Sequence, residues 1–239
     1  MESRYFLDVH THTLASGHAY NTILEMAKAA ADQNLALLGI TEHAPAMPEG
    51  CSEFYFSNLG MVDRRVYGID LWLGAELNIL NYNGKVDLPE DILRRMDLCI
   101  ASLHGPCIRP GSIRQNTNAL IGAMENPYVH IIGHPDDGRY PVDFEEVVQA
   151  AKENHVLLEL NNNSLDPKGF RLNTRENDRR MLEICAEYGQ PVIIGSDAHW
   201  MNMIGRRERA VSLIEETGFP YELVMNYHLE EFKRYIKEK

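Results

Sequence analysis

The chain has 239 residues, 44% hydrophobic and 24% charged, with 35 acidic against 23 basic residues for a formal net charge of −12. This balance excludes a disordered or fibrous chain, and the length suits one large α/β domain that needs no disulfide to hold its core. The acidic surplus argues against the basic stripe of a nucleic-acid binder, and no run approaches the roughly 18 apolar residues of a membrane-spanning helix.

Met1-Glu2-Ser3-Arg4 leads straight into an apolar run, with no basic leader or cleavage site, so a cytoplasmic location is expected. The first strand is predicted over residues 5–10. Thr22-x-x-Glu25 then reads as a capping box, and Ile23, Met26, Ala27 and Ala30 recur at helical spacing. Further strands are expected over 36–41, 71–77, 98–103 and 129–133. Asp143-x-x-Glu146 opens a second helix on Phe144, Val147, Val148 and Ala151. Strands over 156–160 and Val192–Gly195 follow, and Ala210, Leu213, Ile214 and Thr217 mark a helix after the last of them. Arg206, Arg207 and Arg209 read as the solvated face of that helix. Cys51, Cys99, Cys107 and Cys185 lack C-x-x-C spacing and read as free thiols. Each strand is a short, nearly continuous apolar run, the pattern of burial on both faces. Seven such strands alternating with helices imply right-handed crossovers and a parallel sheet, most economically closed into a barrel over a single domain, 1–239.

The ten histidines carry the functional signal. The C-terminal strand ends read D-V-H-T-H-T (8–13), T-E-H (41–43), G-A-E-L-N (74–78), S-L-H-G-P (102–106), I-G-H-P (132–135), E-L-N-N-N (159–163) and G-S-D-A-H (195–199). A ligand-type or polar cluster thus falls at the same end of all seven strands, where barrels build their active sites. His10 and His12 are two apart, so an extended backbone points both to one side about 7 Å apart, a bite for one cation. Asp197 and His199 repeat that spacing. Glu76 lies inside an otherwise apolar strand, where a carboxylate costs several kcal/mol unless it is paired or metal-bound. Glu159 is a similar buried acid with fewer convergent partners, a candidate for supporting a ligand. His130 and His155 fall at strand starts, the opposite rim, and His228 in the C-terminal helical tail. These three read as structural or surface residues.

H-T-H-T at 10–13, T-E-H at 41–43, isolated Glu76, single His104 and His134, and D-A-H at 197–199 together resemble the polymerase and histidinol phosphatase (PHP) superfamily, in order over the whole chain. A-S-G-H-A-Y (15–20), H-I-I-G-H-P (130–135) and L-E-L-N-N-N-S (158–164) are similar to its YcdX-type phosphatase branch. The resemblance implies a distorted seven-stranded (β/α) TIM-like barrel holding three divalent metal ions, zinc first, with manganese or iron as alternatives. It implies one ion on His10, His12, Glu76 and Asp197, a second on Glu76, His104 and His134 with Glu76 bridging, and a third on His18, His43 and His199. Asp136-Asp137 is a departure, unusually acidic beside a site meant for phosphate.

These features imply a metal-dependent phosphoric monoester hydrolase acting on a small phosphorylated substrate. Glu76, Asp197 and His199 are the catalytic candidates, with Asp197 or His199 relaying a proton to the leaving oxygen. Arg139 is the first candidate to grip phosphate, ahead of Arg109, Lys168 and Arg171. Histidinol-phosphate phosphatase is the main alternative. An amidohydrolase-type C–N hydrolase is disfavoured by Glu76 and His18, and a PHP exonuclease by the charge. Nine competent ligands disfavour a non-catalytic metal-binding protein. No nucleic-acid or membrane partner is expected, and a homo-oligomer is compatible with the sequence.

Overall fold

Seven parallel strands pair in the order β1 (Leu7–Asp8), β2 (Leu37–His43), β4 (Ile69–Asn78), β5 (Leu98–Ser102), β6 (Ile131–Ile132), β7 (Leu157–Asn161) and β8 (Val192–Gly195), with β3 (Arg65–Val66) antiparallel at the start of β4. The computed structural model describes residues 4–239; the Met1-Glu2-Ser3 lead-in lies outside the described residues. All seven expected strands are present, and β3 is an addition that the sequence did not announce. The helices are α1 (Ile23–Asp32), α2 (Glu53–Ser57), α3 (Glu90–Leu93), α4 (Ile113–Met124), α5 (Phe144–Glu153), α6 (Thr174–Tyr188), α7 (Glu208–Thr217) and α8 (Leu229–Glu238). The Thr22–Glu25 capping box starts α1, and Asp143 caps α5 through Glu145 N and Glu146 N. The basic run is only partly in a helix, because α7 begins after Arg207. Arg207 lies over the Tyr5 ring at 4.5 Å, and Arg209 pairs with Asp166 at 2.9 Å.

Apolar side chains fill both sides of the sheet. Leu7, Leu37, Leu98, Ile100, Ile131, Leu157 and Ile193 form one cluster with Phe232 and Ile236 of α8. The α8 contacts fall at the strand starts: Phe232 packs 5.5 Å from Trp72, Lys233 Nζ is 2.7 Å from Asp70, and Tyr235 stacks on His155 at 3.7 Å. The N-terminal end of the barrel is therefore plugged by apolar groups, which leaves the C-terminal end for polar ones. His130 Nδ1 accepts Cys99 N–H at 3.0 Å, and His228 Nε2 lies 3.3 Å from Tyr221 O. His130, His155 and His228 thus each have a structural partner.

The barrel is closed at one seam by side chains. Among the described residues, β1 and β8 share no ladder, and beyond the strands a single bridge joins Thr11 to Ala198. Asn226, fully buried, bridges the gap: its Oδ1 accepts Ile194 N–H at 2.7 Å, and its Nδ2 donates to Leu7 O at 3.0 Å and Ile194 O at 2.8 Å. The buried Asp8 carboxylate accepts from Ser196 N at 3.2 Å and Gly205 N at 2.8 Å. Buried backbone groups must be paired, so these two side chains stand in for missing ladder bonds. Asn226→Ala strands several of them and is expected to cost about 3 kcal/mol. A urea midpoint unchanged from the parent protein would show that the seam does not depend on Asn226.

Candidate metal centre

Glu76 is 1% exposed and faces five imidazoles. Its Oε1 lies 2.9 Å from His134 Nε2, 3.1 Å from His104 Nε2 and 3.4 Å from His10 Nε2. Its Oε2 lies 2.8 Å from His43 Nδ1 and 3.5 Å from His12 Nε2. Strand register explains the convergence, since His43 on β2 is paired with Glu76 on β4 and shares its face. Asp197 Oδ1 closes the other side, 3.5 Å from His12 Nε2 and 3.7 Å from His10 Nε2. At the exposed edge, His199 Nε2 and His18 Nε2 are 3.1 Å apart. All nine residues singled out in the sequence are thus brought to one place.

The grouping differs in part from the expected ligand sets. Ligand atoms of His10, His12 and Glu76 lie within 4.8 Å of one another, as do those of His43, Glu76 and His104, and those of His12, His43 and His199. His43 therefore stands between two groups, at a place assigned by resemblance to the third ion alone. His134 and Asp197 both adopt left-handed backbone conformations (φ 31° and 52°), a strained choice for non-glycine residues that re-aims the chain as it leaves a strand.

Several neighbours set which ring nitrogen faces inward. Glu159 Oε1 is 2.7 Å from His10 Nδ1, Asn78 Oδ1 is 2.7 Å from His104 Nδ1, and Asp197 O is 3.0 Å from His199 Nδ1. Each acceptor fixes the proton on Nδ1 and turns Nε2 toward the cluster, the usual support of a histidine ligand. Glu159 Oε2 also accepts His134 N–H at 2.7 Å. Room for this carboxylate comes from Gly195, where a Cβ would fall 1.8 Å from Glu159 Oε1. Glu42 accepts Thr13 N–H at 3.0 Å and the Ser16 hydroxyl at 2.5 Å, which ties the loop carrying His18 to β2. Asn78 and Glu42 are orienting residues that the sequence reading passed over, although both lie inside the motifs it quoted.

Electrostatics decide the protonation pattern. Burial pushes His12 well below the usual imidazole range, with His43 and His199 adding to it. Burial likewise lowers His104, to about 4, so both rings are neutral at pH 7. Burial alone would lower His10 too, but Glu159, Glu76 and Asp197 reverse this and hold it high. Burial would raise Glu76, yet His104, His10 and His43 outweigh it and keep the carboxylate ionised. Four buried atoms (His10 Nε2, His12 Nε2, His43 Nδ1 and Glu76 Oε2) nevertheless have no hydrogen-bond partner among the described residues. Buried polar atoms are rarely left so, and nitrogen and carboxylate donors directed at one another fit divalent cations.

The loop cations are placed less simply. Arg139 binds Asp137 through Nε and NH2, and Arg171, its side chain 8% exposed, has NH1 and NH2 3.2 Å from Asp197 Oδ2. Asn161 Nδ2 also reaches that oxygen at 3.4 Å, so Asp197 keeps Oδ1 for the histidines. Asp136 and Asp137 are 0% and 3% exposed, so neither places a free carboxylate on the rim. Asp137 is neutralised by Arg139, while burial raises Asp136 to about 6.

The chain is a parallel barrel with a histidine–carboxylate cluster at its C-terminal end, whose donors could hold metal ions. The PHP domain profile matches residues 8–166, and the chain belongs to the PHP family. Relatives named "Probable phosphatase" include one from Clostridium novyi, 44% identical over 99% of this chain and 96% of its own length. Another, from Caldicellulosiruptor bescii, is 47% identical over 97% and 96%. In solved structures, the fold is shared with histidinol phosphate phosphatase from Lactococcus lactis, described as complexed with Zn, L-histidinol and phosphate. That likeness has a TM-score of 0.63 at 19% identity over 90% of this chain and 95% of that one. A chain of archaeal ribonuclease P with mature tRNA matches with TM-score 0.61 at 16% identity, covering 98% and 93%. Both likenesses speak to the fold.

Gly195→Ala is expected to displace Glu159 from His10 and lower bound metal, read by elemental analysis of purified protein. Full metal content with a folded circular dichroism spectrum would count against Glu159 as the orienting group. His130, outside the cluster, reports on acid stability. Burial, with Lys239 beside it, lowers its folded value to about 4. A group depressed on folding stabilises above its unfolded value, about 6.5, and that contribution is lost as pH falls toward 4. In metal-free protein, His130→Gln should therefore flatten the fall in melting temperature between about pH 6.5 and 4. An identical pH profile for both proteins would contradict this.

Proposed function

We propose that the whole chain, 1–239, is a metal-dependent phosphatase of small phosphate monoesters, using three divalent cations, zinc first. The observation that carries this reading is the set of four buried, partnerless nitrogen and oxygen atoms converging around Glu76. The names of the relatives support the reaction class. His10, His12 and Asp197 would hold one ion, His104 and His134 a second, and His18, His43 and His199 a third, with Glu76 between the first two. Bound there, such ions supply hydroxide at neutral pH and offset the charge of phosphoryl oxygens.

The chain's own groups do the rest. Glu76 presents one oxygen to each side of the cluster, and Arg171 holds Asp197 so that a single oxygen faces inward. His199, 23% exposed and hydrogen-bonded through Nδ1 to the Asp197 carbonyl, would direct Nε2 to the third ion at the exposed edge of the cluster, which supports it as a ligand rather than as the donor of a proton to the leaving oxygen. Arg139 contributes at the rim through NH1, since Asp137 takes its other edge. The net charge of −12 disfavours long polyanions, because each further phosphate would meet carboxylates with no gain from counterion release. No helix among the described residues is long and apolar enough to cross a membrane.

The test combines elemental analysis with turnover of p-nitrophenyl phosphate, a sugar phosphate, histidinol phosphate, single-stranded DNA and an N-acyl amino acid. About three ions per chain and hydrolysis of monoesters alone are expected. Glu76→Gln should lose the ions on both sides of the carboxylate and nearly all turnover, since an amide lacks the charge to bridge. Retention of metal with near-normal rates would remove Glu76 from that role, and faster DNA or amide turnover would replace the phosphatase reading.

A further inference from the structure

A cleft of about 730 Å³ opens on the outer wall of the barrel, between the end of α1 and α7. It is lined by Tyr5, Tyr221 and Tyr227 together with Arg4, Arg207 and Glu215. Tyr5 precedes β1 whereas His10 and His12 follow it, so the cleft is separate from the histidine cluster. The rings form a herringbone, with Tyr227 edge-on to Tyr5 at 5.7 Å and to Tyr221 at 5.3 Å. Two of the walls are held by groups at the β1–β8 seam. The Tyr5 hydroxyl accepts from Asn226 Nδ2 at 3.0 Å, and Arg207 NH1 donates to Gly205 O at 2.9 Å. Arg4 NH2 donates to Asn34 O at 3.0 Å. Both guanidiniums thus end on carbonyls, and among the described residues neither is ion-paired.

We propose that this cleft is a second ligand site, taking a small carboxylate that carries a flat ring. Its size lies within the roughly 300–1,000 Å³ of small-molecule sites, which are commonly preformed, aromatic-lined and furnished with a few polar groups. A guanidinium recognises an oxyanion through two parallel N–H donors, and Arg207 keeps its remaining donors after the bond to Gly205. Two guanidiniums against the Glu215 carboxylate leave the cleft one positive charge, which matches a monoanion. A carboxylate supplies that charge, whereas a phosphate monoester close to its dianion exceeds it. The tyrosines offer faces and edges against which a flat ring packs offset or edge-on. Because Asn226 and Gly205 already hold two of the walls, little side-chain freedom is lost on binding. The site stands apart from the phosphatase reading, since no lining residue belongs to the metal centre.

The experiment titrates the full chain with 2-naphthoate, 2-naphthamide and 2-naphthylphosphonate, which share one ring and differ in charge. Wild type should bind naphthoate saturably and naphthamide roughly tenfold more weakly, the worth of a charged hydrogen bond. Arg207→Met and Arg4→Gln should each weaken naphthoate roughly tenfold while leaving naphthamide unchanged. Arg4 is exposed, so its variant decides the matter should Arg207→Met fail to fold. Tyr221→Ala should weaken both naphthoate and naphthamide, and Glu76→Gln neither. Absent or non-saturable naphthoate binding, or equal affinity for the amide, overturns the site. Loss of binding in Glu76→Gln with retention in Arg207→Met overturns it as well, by placing the ligand at the histidine cluster. Tighter binding of the phosphonate than of naphthoate overturns the carboxylate assignment.

Discussion

The structure turns on one carboxylate that is costly to bury. Glu76, ionised inside a β-strand, would forfeit several kcal/mol of hydration with no return if it stood alone. Five imidazoles face it, and they cannot all share its charge, because His12 and His104 are held neutral by the same burial. With His12 and His104 neutral, the carboxylate has charged partners on only part of its surround, and cations would complete it. That imbalance supports the reading of the cluster as a cation site.

The surrounding fold serves that requirement. The strand ends carry the donors, while the layer beneath supplies the acceptors, Glu159 and Asn78, that turn each ring. Gly195 opens the interior for the Glu159 carboxylate, its absent side chain being part of the site's geometry. Apolar residues from α8 fill the opposite end of the barrel, so the polar groups have one exit to solvent.

Much of this could be read in the sequence because strand ends impose a repeating context. His10, His12, Glu76, Asp197 and His199 each follow or interrupt an apolar run, and the alternation of a strand fixes their side. Resemblance rather than spacing supplied His18, which lies on a loop with no periodicity to constrain it. Less visible were groups whose role depends on distant partners. Nothing local marks Asn226, 32 positions from Ile194, as the closure of the seam. Helix α6 was silent for another reason, since its polar first turns and left-handed Asn173 at the start lack a side-chain cap. Arg139, the first candidate to grip phosphate, is also ion-paired with Asp137, a pairing of near neighbours that spacing could have suggested. The acids after His134, a departure in the sequence, are buried.

The incomplete seam gives the histidine cluster a second meaning. His10 and His12 continue β1, Asp197 and His199 continue β8, and these are the two strands that fail to zip together. Ions shared between those ligands would act as a clasp across the gap, tying segments near opposite ends of the chain much as a disulfide would. Unlike a disulfide, such a clasp answers to chelators and acidity rather than to redox poise. Catalytic capacity and mechanical closure of the barrel would then be gained and lost together.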